Sequence, residues 1–358
     1  MRISNPIASL ATVRMCIMSM MHSDPHRKLA RHARSPFLIV SVCSMLLLCL
    51  PNAQAGQFVV GRYAGEFMSL GAGARALAMG GAALANPTPA TAGYYTPSRL
   101  AGLNYNDIEF MHANLIDNLY TYDELSYARP MSDGTAGSLS ILYTRVGDIP
   151  LTKLADPNRP LTDENRVLVD SKSSDNELAV LGSMGRMVWT NWRAGASAKI
   201  LYKSVAGESA YGLGFDVGMG RTVSKSLEVG VAAHDLTTSI LAWSTGRTEA
   251  ILPSIVLGGA YQIDLHAVNA HVTVVADLNG HFESRGDAEQ IAAGPLSVNP
   301  QAGLEYLIST AVSLRGGYDG QNLTAGAGLH ISVVNVDAAF QNHPDLGFTH
   351  RVSLGVHW

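Results

Sequence analysis

Beyond residue 105 the chain repeatedly alternates apolar with small or polar residues at period two, the signature of strands with one apolar and one polar face. Leu213, Phe215, Val217 and Met219 interleave with Gly214, Asp216 and Gly218. Ala302, Leu304 and Tyr306 interleave with Gln301, Gly303 and Glu305, and Val312 and Leu314 with Ser313 and Arg315. Val352, Leu354, Val356 and Trp358 interleave with Ser353, Gly355 and His357. The pattern predicts about 14 strands, near 107–115, 120–130, 135–146, 174–189, 192–204, 211–222, 226–236, 251–263, 268–279, 298–307, 311–318, 322–332, 334–342 and 350–358. Tyr120 to Arg129 alternates least cleanly.

A soluble sandwich would also alternate, with its apolar face inward. Three features favour a membrane barrel with the apolar face outward. The polar face is rich in Gly and carries isolated charges. Tyr143, Tyr202, Tyr211, Tyr261, Tyr306, Tyr318 and Trp358 lie near strand ends, as interfacial girdles do. The strands have the length that a tilted membrane strand needs. Connection lengths then sort the molecule into two ends. Short turns surround Asp133-Gly134, Thr190-Asn191, Ser224-Lys225, Leu265-His266, Ser309-Thr310 and Val333, and longer loops at 147–173, 237–250, 280–297 and 343–349 fall in the complementary set. Bacterial barrels have short periplasmic turns and long outer loops. Only closure satisfies every backbone group in lipid. The expectation is therefore an all-β fold, a transmembrane antiparallel β-barrel of about 14 strands over residues 105–358. Val352, Leu354, Val356 and Trp358 form a terminal pattern resembling the signal read by the barrel-assembly machinery.

Composition adds a compartment. The apolar run Phe37 to Leu50 follows Arg27, Lys28, Arg31 and Arg34 and precedes Ala53-Gln54-Ala55. Basic, apolar, then small-x-small is the order of a signal peptide, and the run is shorter than the roughly 20 residues of a membrane helix. Residues 1–55 are expected to be a leader removed near Ala55, which places the mature chain in the outer membrane of a Gram-negative cell, surrounded by outer-membrane lipid. Cys16, Cys43 and Cys49 all precede the cleavage point, so no disulfide or thiolate site is expected. The leader also takes most of its charge as Arg and Lys, leaving an acidic chain without a basic patch. Nucleic acid is therefore not an expected partner.

Residues 56–104 do not alternate. The stretch 68–85 is small, apolar and Gly-rich around one charge, Arg75, and a Pro-rich stretch runs from Pro87 to Pro97. A short, tightly packed helix plugging the lumen fits this composition, with Arg75 free to pair with a lumen carboxylate. Gly73-Ala74-Arg75-Ala76 and Met79-Gly80-Gly81-Ala82, followed by Tyr95-Thr96-Pro97-Ser98-Arg99-Leu100, resemble the opening of the PorV/PorQ family of outer-membrane proteins, related in fold to the FadL long-chain fatty-acid transporters. The second half departs from the family pattern: Thr96 stands for the usual Asn, and Ser98-Arg99 for Ala-Gly. The resemblance implies a barrel with an N-terminal hatch in which Arg75, Met79, Gly80, Gly81 and Pro97 plug or gate the lumen.

No metalloprotease, nucleoside-triphosphate or hydrolase motif is present. His234, His271, His330 and His357 read as lumen or rim histidines. Asp156, Asp163, Glu164 and Asp170 lack EF-hand spacing and read as a solvated loop. The chain is expected to be non-enzymatic and to need no cofactor. Two functions lead on these grounds: passage or binding of a hydrophobic ligand, as the FadL relation implies, or binding of secreted protein cargo through the outer loops, as the PorV relation implies; a purely structural barrel or an outer-membrane enzyme is the third and least favoured reading.

Overall fold

The computed structural model describes residues 58–60 and 64–358, apart from 117–118, 284–289, 309 and 344–346, so the leader and its cleavage point lie outside the described residues. Within it the alternating segments pair edge to edge. Among the described residues, 18 strands join in one sheet. Four short ones (Phe58–Val60, Ser239–Trp243, Thr248–Ile251 and Ile291–Ala293) are accessory, leaving 14 that form the wall. These are β1 Asp107–Leu115, β2 Tyr120–Ser132, β3 Thr135–Leu154, β4 Val167–Trp189, β5 Trp192–Val205, β6 Glu208–Thr222 and β7 Leu227–His234. They continue as β8 Ser254–Leu265, β9 Ala270–His281, β10 Leu296–Ile308, β11 Val312–Tyr318, β12 Leu323–Ile331, β13 Val334–His343 and β14 Gly347–His357. Each wall strand runs antiparallel to its neighbours, and β14 returns to β1 with His350 opposite Asn114 and His357 opposite Asp107. Closure leaves no edge in the wall, the condition hydrocarbon imposes on a sheet. No described helix is long and apolar enough to cross a membrane.

The alternation resolves into an inside-out distribution. Phe110, Phe215, Leu257, Leu304, Phe340 and Leu354 stand exposed on the outer surface. Their sequence neighbours Glu109, Asp216, Glu305 and Ser353 are buried inside. A continuous apolar exterior of this extent suits lipid rather than water. Tyr202 pairs with Tyr211 at a ring separation of 5.1 Å near one rim. Trp358 stacks on Tyr127 at 6.1 Å near the other, and its backbone exchanges hydrogen bonds with Asn106.

The two ends differ. At one, hairpins are tight, and Asn191 and Asn269 adopt the left-handed conformation that such turns use. At the other, the expected loops differ in form. The stretch expected as loop 147–173 is largely strand: β3 and β4 run on as a two-stranded ribbon, with Ile149 opposite Ser173 and Leu154 opposite Val167. Both faces of this ribbon are wet, so the chain there needs no apolar alternation and shows none. The stretch 237–250 holds the accessory hairpin Ser239–Trp243 and Thr248–Ile251, which lies beside β6. The stretch 343–349 is not a long loop, because β13 reaches His343 and β14 starts at Gly347.

Placing Lys at Phe215, midway along β6 on the apolar exterior, should cost about 2–4 kcal/mol. Urea unfolding in liposomes checks this; an unchanged midpoint would mean that this face does not meet hydrocarbon.

Candidate functional site

Residues from Ala64 to Leu103 lie within the ring as a folded plug of short turns. A 3-10 turn, Glu66–Ser69, leads to the single helical turn α1, Ala74–Ala78. A second turn, α2 Ala92–Tyr95, is followed by a 3-10 turn, Pro97–Leu100, with Pro97 at its start, where a missing N–H costs nothing. Only five residues of the expected helix are helical. Glycines interrupt the rest, and wall side chains take over the backbone pairing that a longer helix would supply.

Those wall groups are acids and hydroxyls placed singly on the polar face. The N–H groups of Ala83 and Leu84 both donate to Asp277 Oδ2 at 2.9 Å. Ala90 N–H donates to Asp107 Oδ2 at 3.0 Å, and Ala74 N–H to Ser353 Oγ at 2.7 Å. Thr324 Oγ1 accepts from Gly80 N–H and donates to Ala78 O, both at 3.0 Å. Inside the plug, Tyr95 Oη donates to Ala72 O at 2.8 Å, and Tyr94 Oη donates to Met68 O. Burial pushes both phenols well above the ordinary tyrosine range, so they remain neutral donors.

Arg75 projects from α1 to the wall. Its Nη2 lies 2.5 Å from Glu305 Oε2 and its Nε 3.1 Å from Glu305 Oε1, a bidentate pair, while Nη1 donates to Asn86 O at 2.9 Å. Glu305 Oε1 also accepts from Arg315 Nε at 2.9 Å, and Arg315 Nη1 reaches Asp337 Oδ1 at 2.6 Å. Two guanidinium groups and two carboxylates thus balance in a chain across β10, β11 and β13, with Arg315 wholly buried. A second ionic group holds the far side of the plug: Arg99 Nη1 lies 3.2 Å from Glu228, which also pairs with Arg193.

The other expected plug residues sit where backbone meets backbone. Met79 is fully buried, and a Cβ added to Gly303 or Gly317 in the wall would collide with it. Gly80, with φ of 72°, lies against the backbone of Tyr318, leaving no room for a side chain. Gly81 faces Gln301, and Pro97 packs against wall glycines 185 and 195. Thr96 Oγ1 bonds Ser98 Oγ at 3.0 Å, so the two residues that depart from the family pattern contact each other. In the terminal strand, Val352 and Leu354 face outward and Val356 is half-buried. Glu305, Asp277, Thr324, Gly303 and Gly317 carry the plug contacts. In sequence they appear only as polar-face residues, an isolated charge in a weakly charged strand being the one signal.

His234 lies 3.6 Å from Asp216, inside a group in which Lys199 Nζ meets Asp216 Oδ1 and Asp235 Oδ1 at 2.9 Å each. His271 pairs with Asp264 at the rim, and His330 bonds Ser313 and Asn335. Among the described residues no cluster of histidines and acids is arranged to hold a metal.

The plug divides the lumen. On the long-loop side is a cavity of about 590 Å³, floored by Leu77, Gly80, Gly81 and Leu84. On the short-turn side a smaller one, about 130 Å³, is lined by Arg75, Glu109, His330 and Asp337. The Arg75 pair therefore borders the space that a molecule crossing the lumen must pass.

No family model and no curated protein matches the chain. Solved structures do. The toluene transporter TbuX of Ralstonia pickettii matches at 13% identity over 80% of this chain and 97% of its own, with a TM-score of 0.53. The toluene transporter TodX of P. putida matches at 13% identity over the same shares, with a TM-score of 0.51. The CymD monoaromatic hydrocarbon channel matches at 11% identity over 84% of this chain and 98% of its own, with a TM-score of 0.50. The likeness is one of fold: the chain has a closed, 14-stranded antiparallel β-barrel that matches these structures.

Arg75→Ala should destabilise the protein by about 3–5 kcal/mol, because Glu305 is left short of a buried partner. Gly317→Val should leave the barrel intact and expel the plug. Limited proteolysis should then cut between Ala64 and Leu103 in the variant and not in the wild type; equal protection would refute the packing described.

Proposed function

We propose that this protein is a non-enzymatic outer-membrane channel that passes small hydrophobic molecules through its lumen, with the N-terminal plug as the gate. The observation that carries the reading is the pair of cavities on opposite faces of the plug, with the Arg75–Glu305 pair beside the smaller one. A ligand entering the larger cavity from the long-loop end needs only α1 and the Gly80-Gly81 turn to shift. Arg75 is the latch: its guanidinium fixes α1 to Glu305, while the rest of the turn meets the wall through backbone hydrogen bonds and the small apolar side chains around Leu77 and Ala78. The fold shared with toluene transporters supports the same class of cargo. The short-turn end then faces the periplasm, with the chain delivered by a signal peptide cut near Ala55 and its terminal strand read by the barrel-assembly machinery. The resemblance of Gly73–Ala76 and Met79–Ala82 to the PorV/PorQ opening supports reading the barrel as one of that type.

A second reading has its own observation. The ribbon of β3 and β4 projects Leu151, Val167, Leu168 and Val169 into the open, as a surface that grips exported protein would. In that case the loops, and not the lumen, carry the function.

Reconstituted into liposomes, the wild type should bind and release toluene, and Arg75→Ala should raise ion conductance several-fold over its closed baseline. Loss of toluene binding with no change in conductance, alongside crosslinks from the 147–173 ribbon to exported proteins, would favour the second reading.

A further inference from the structure

The larger cavity does not have the lining a pure hydrocarbon needs. One side is apolar: Met68, Leu70 and Tyr94 of the plug stand with Leu115, Ile116 and Ile251 of the wall. The opposite side, on β9 to β14, is a band of amides and hydroxyls in which the charged groups are already engaged: Asp277 by the N–H groups of Ala83 and Leu84, and Asp319 and Arg351 by the side-chain amide of Gln341. Register makes it continuous: Asn279 lies opposite Asn299, Asp277 opposite Gln301, and Gln341 between Thr324 and Thr349.

Several of these groups have nothing in the protein to bond. Asn322 and Thr349 line the cavity, are more than nine-tenths buried, and among the described residues make no side-chain hydrogen bond. The side-chain amides of Asn279 and Gln301 face the same space and are equally unengaged. Asn299 donates to Asp319 O at 3.0 Å, but its Oδ1 has no partner. An acceptor buried without a partner, as Asn299 Oδ1 is, is costly, and the half-buried amides of Asn279 and Gln301 beside it are open to a polar ligand. Other polar groups of the wall are taken up by the plug, as Thr324, Ser353 and Asp277 are.

We propose that this cavity is a binding site for an amphiphile: a small apolar or aromatic body carrying a neutral head with several hydroxyl or amide groups, of which an aryl glycoside is the model. The proposal rests on the lumen being the ligand route and narrows its cargo. The apolar body lies against Met68, Leu70 and Ile251. The head exchanges hydrogen bonds with Asn299, Gln301, Asn322 and Thr349, whose donors and acceptors match hydroxyls in both senses. A hydrocarbon would fill the first half and leave the second unpaired, so the site discriminates in favour of the hydroxylated ligand.

The test is ligand-observed NMR titration of the full-length protein in nanodiscs, with phenyl β-D-glucoside and toluene as probes. Wild type should bind the glucoside at least tenfold more tightly than toluene. Gln301→Leu with Asn322→Leu should weaken the glucoside about tenfold or more, from loss of two or more hydrogen bonds, and leave toluene unchanged or tighter. Heat-modified gel mobility confirms that the variant is folded, and Thr349→Val gives a milder second variant expected to act in the same direction. Toluene binding without glucoside binding would overturn this inference and leave the channel reading standing. Binding of neither would overturn both.

Discussion

Every backbone N–H and C=O in a lipid-embedded wall must find its partner within the wall, and the pairing of β14 with β1 is where this chain meets that demand. Once the ring closes, the rest follows in order. Lipid takes the apolar face, so the polar face turns inward. A lumen lined by Glu305, Arg315, Asp337, Asp216 and Lys199 cannot be left without partners, because buried charges are tolerated only when paired. Some pair with one another, as Lys199 does with Asp216, and others pair with the plug, as Glu305 does with Arg75. The plug thus fills an inside-out protein, through these polar contacts and through an apolar cluster that Phe67 and Leu77 share with Leu142, Leu181 and Leu201 of the wall.

This accounts for the character of the plug sequence. A segment that must lie against a curved wall through backbone contacts is built from small residues, and the wall answers with glycines at 303 and 317 where Met79 passes. Long helices would satisfy their own backbone and leave Asp277, Asp107 and Ser353 unused. Short turns expose N–H groups that these side chains cap. The attachments of the plug are thus spread over hydrogen bonds to single wall side chains and two ionic groups, at Arg75 and at Arg99.

Much of the wall was legible in the sequence because a sheet between two media writes its faces at period two, and all 14 strand positions follow from that. The ribbon beyond Arg145 was not, because both its faces meet water and Val167-Leu168-Val169 does not alternate. The plug was legible as a class of segment, from Arg75 amid small residues, but not as a set of contacts. Arg75 and Glu305 lie 230 positions apart, and no local pattern joins them. Asn322, at the start of an expected strand, and Thr349, in the expected loop 343–349, likewise carry no local signal until the register sets them around one cavity.

The account turns on the plug having to move for the lumen to conduct, and tethering it is the most direct measurement. A Cβ built on Gly258 lies 2.8 Å from Leu84 Cβ and 2.1 Å from Asp277 Oδ1, so cysteines at the two positions can form a disulfide once Asp277 turns aside. Toluene flux through the reconstituted Leu84→Cys/Gly258→Cys protein should be low when oxidised and rise several-fold when the same protein is reduced. Equal flux in the two states, with the crosslink verified by mass spectrometry, would contradict a lumen gated by this plug.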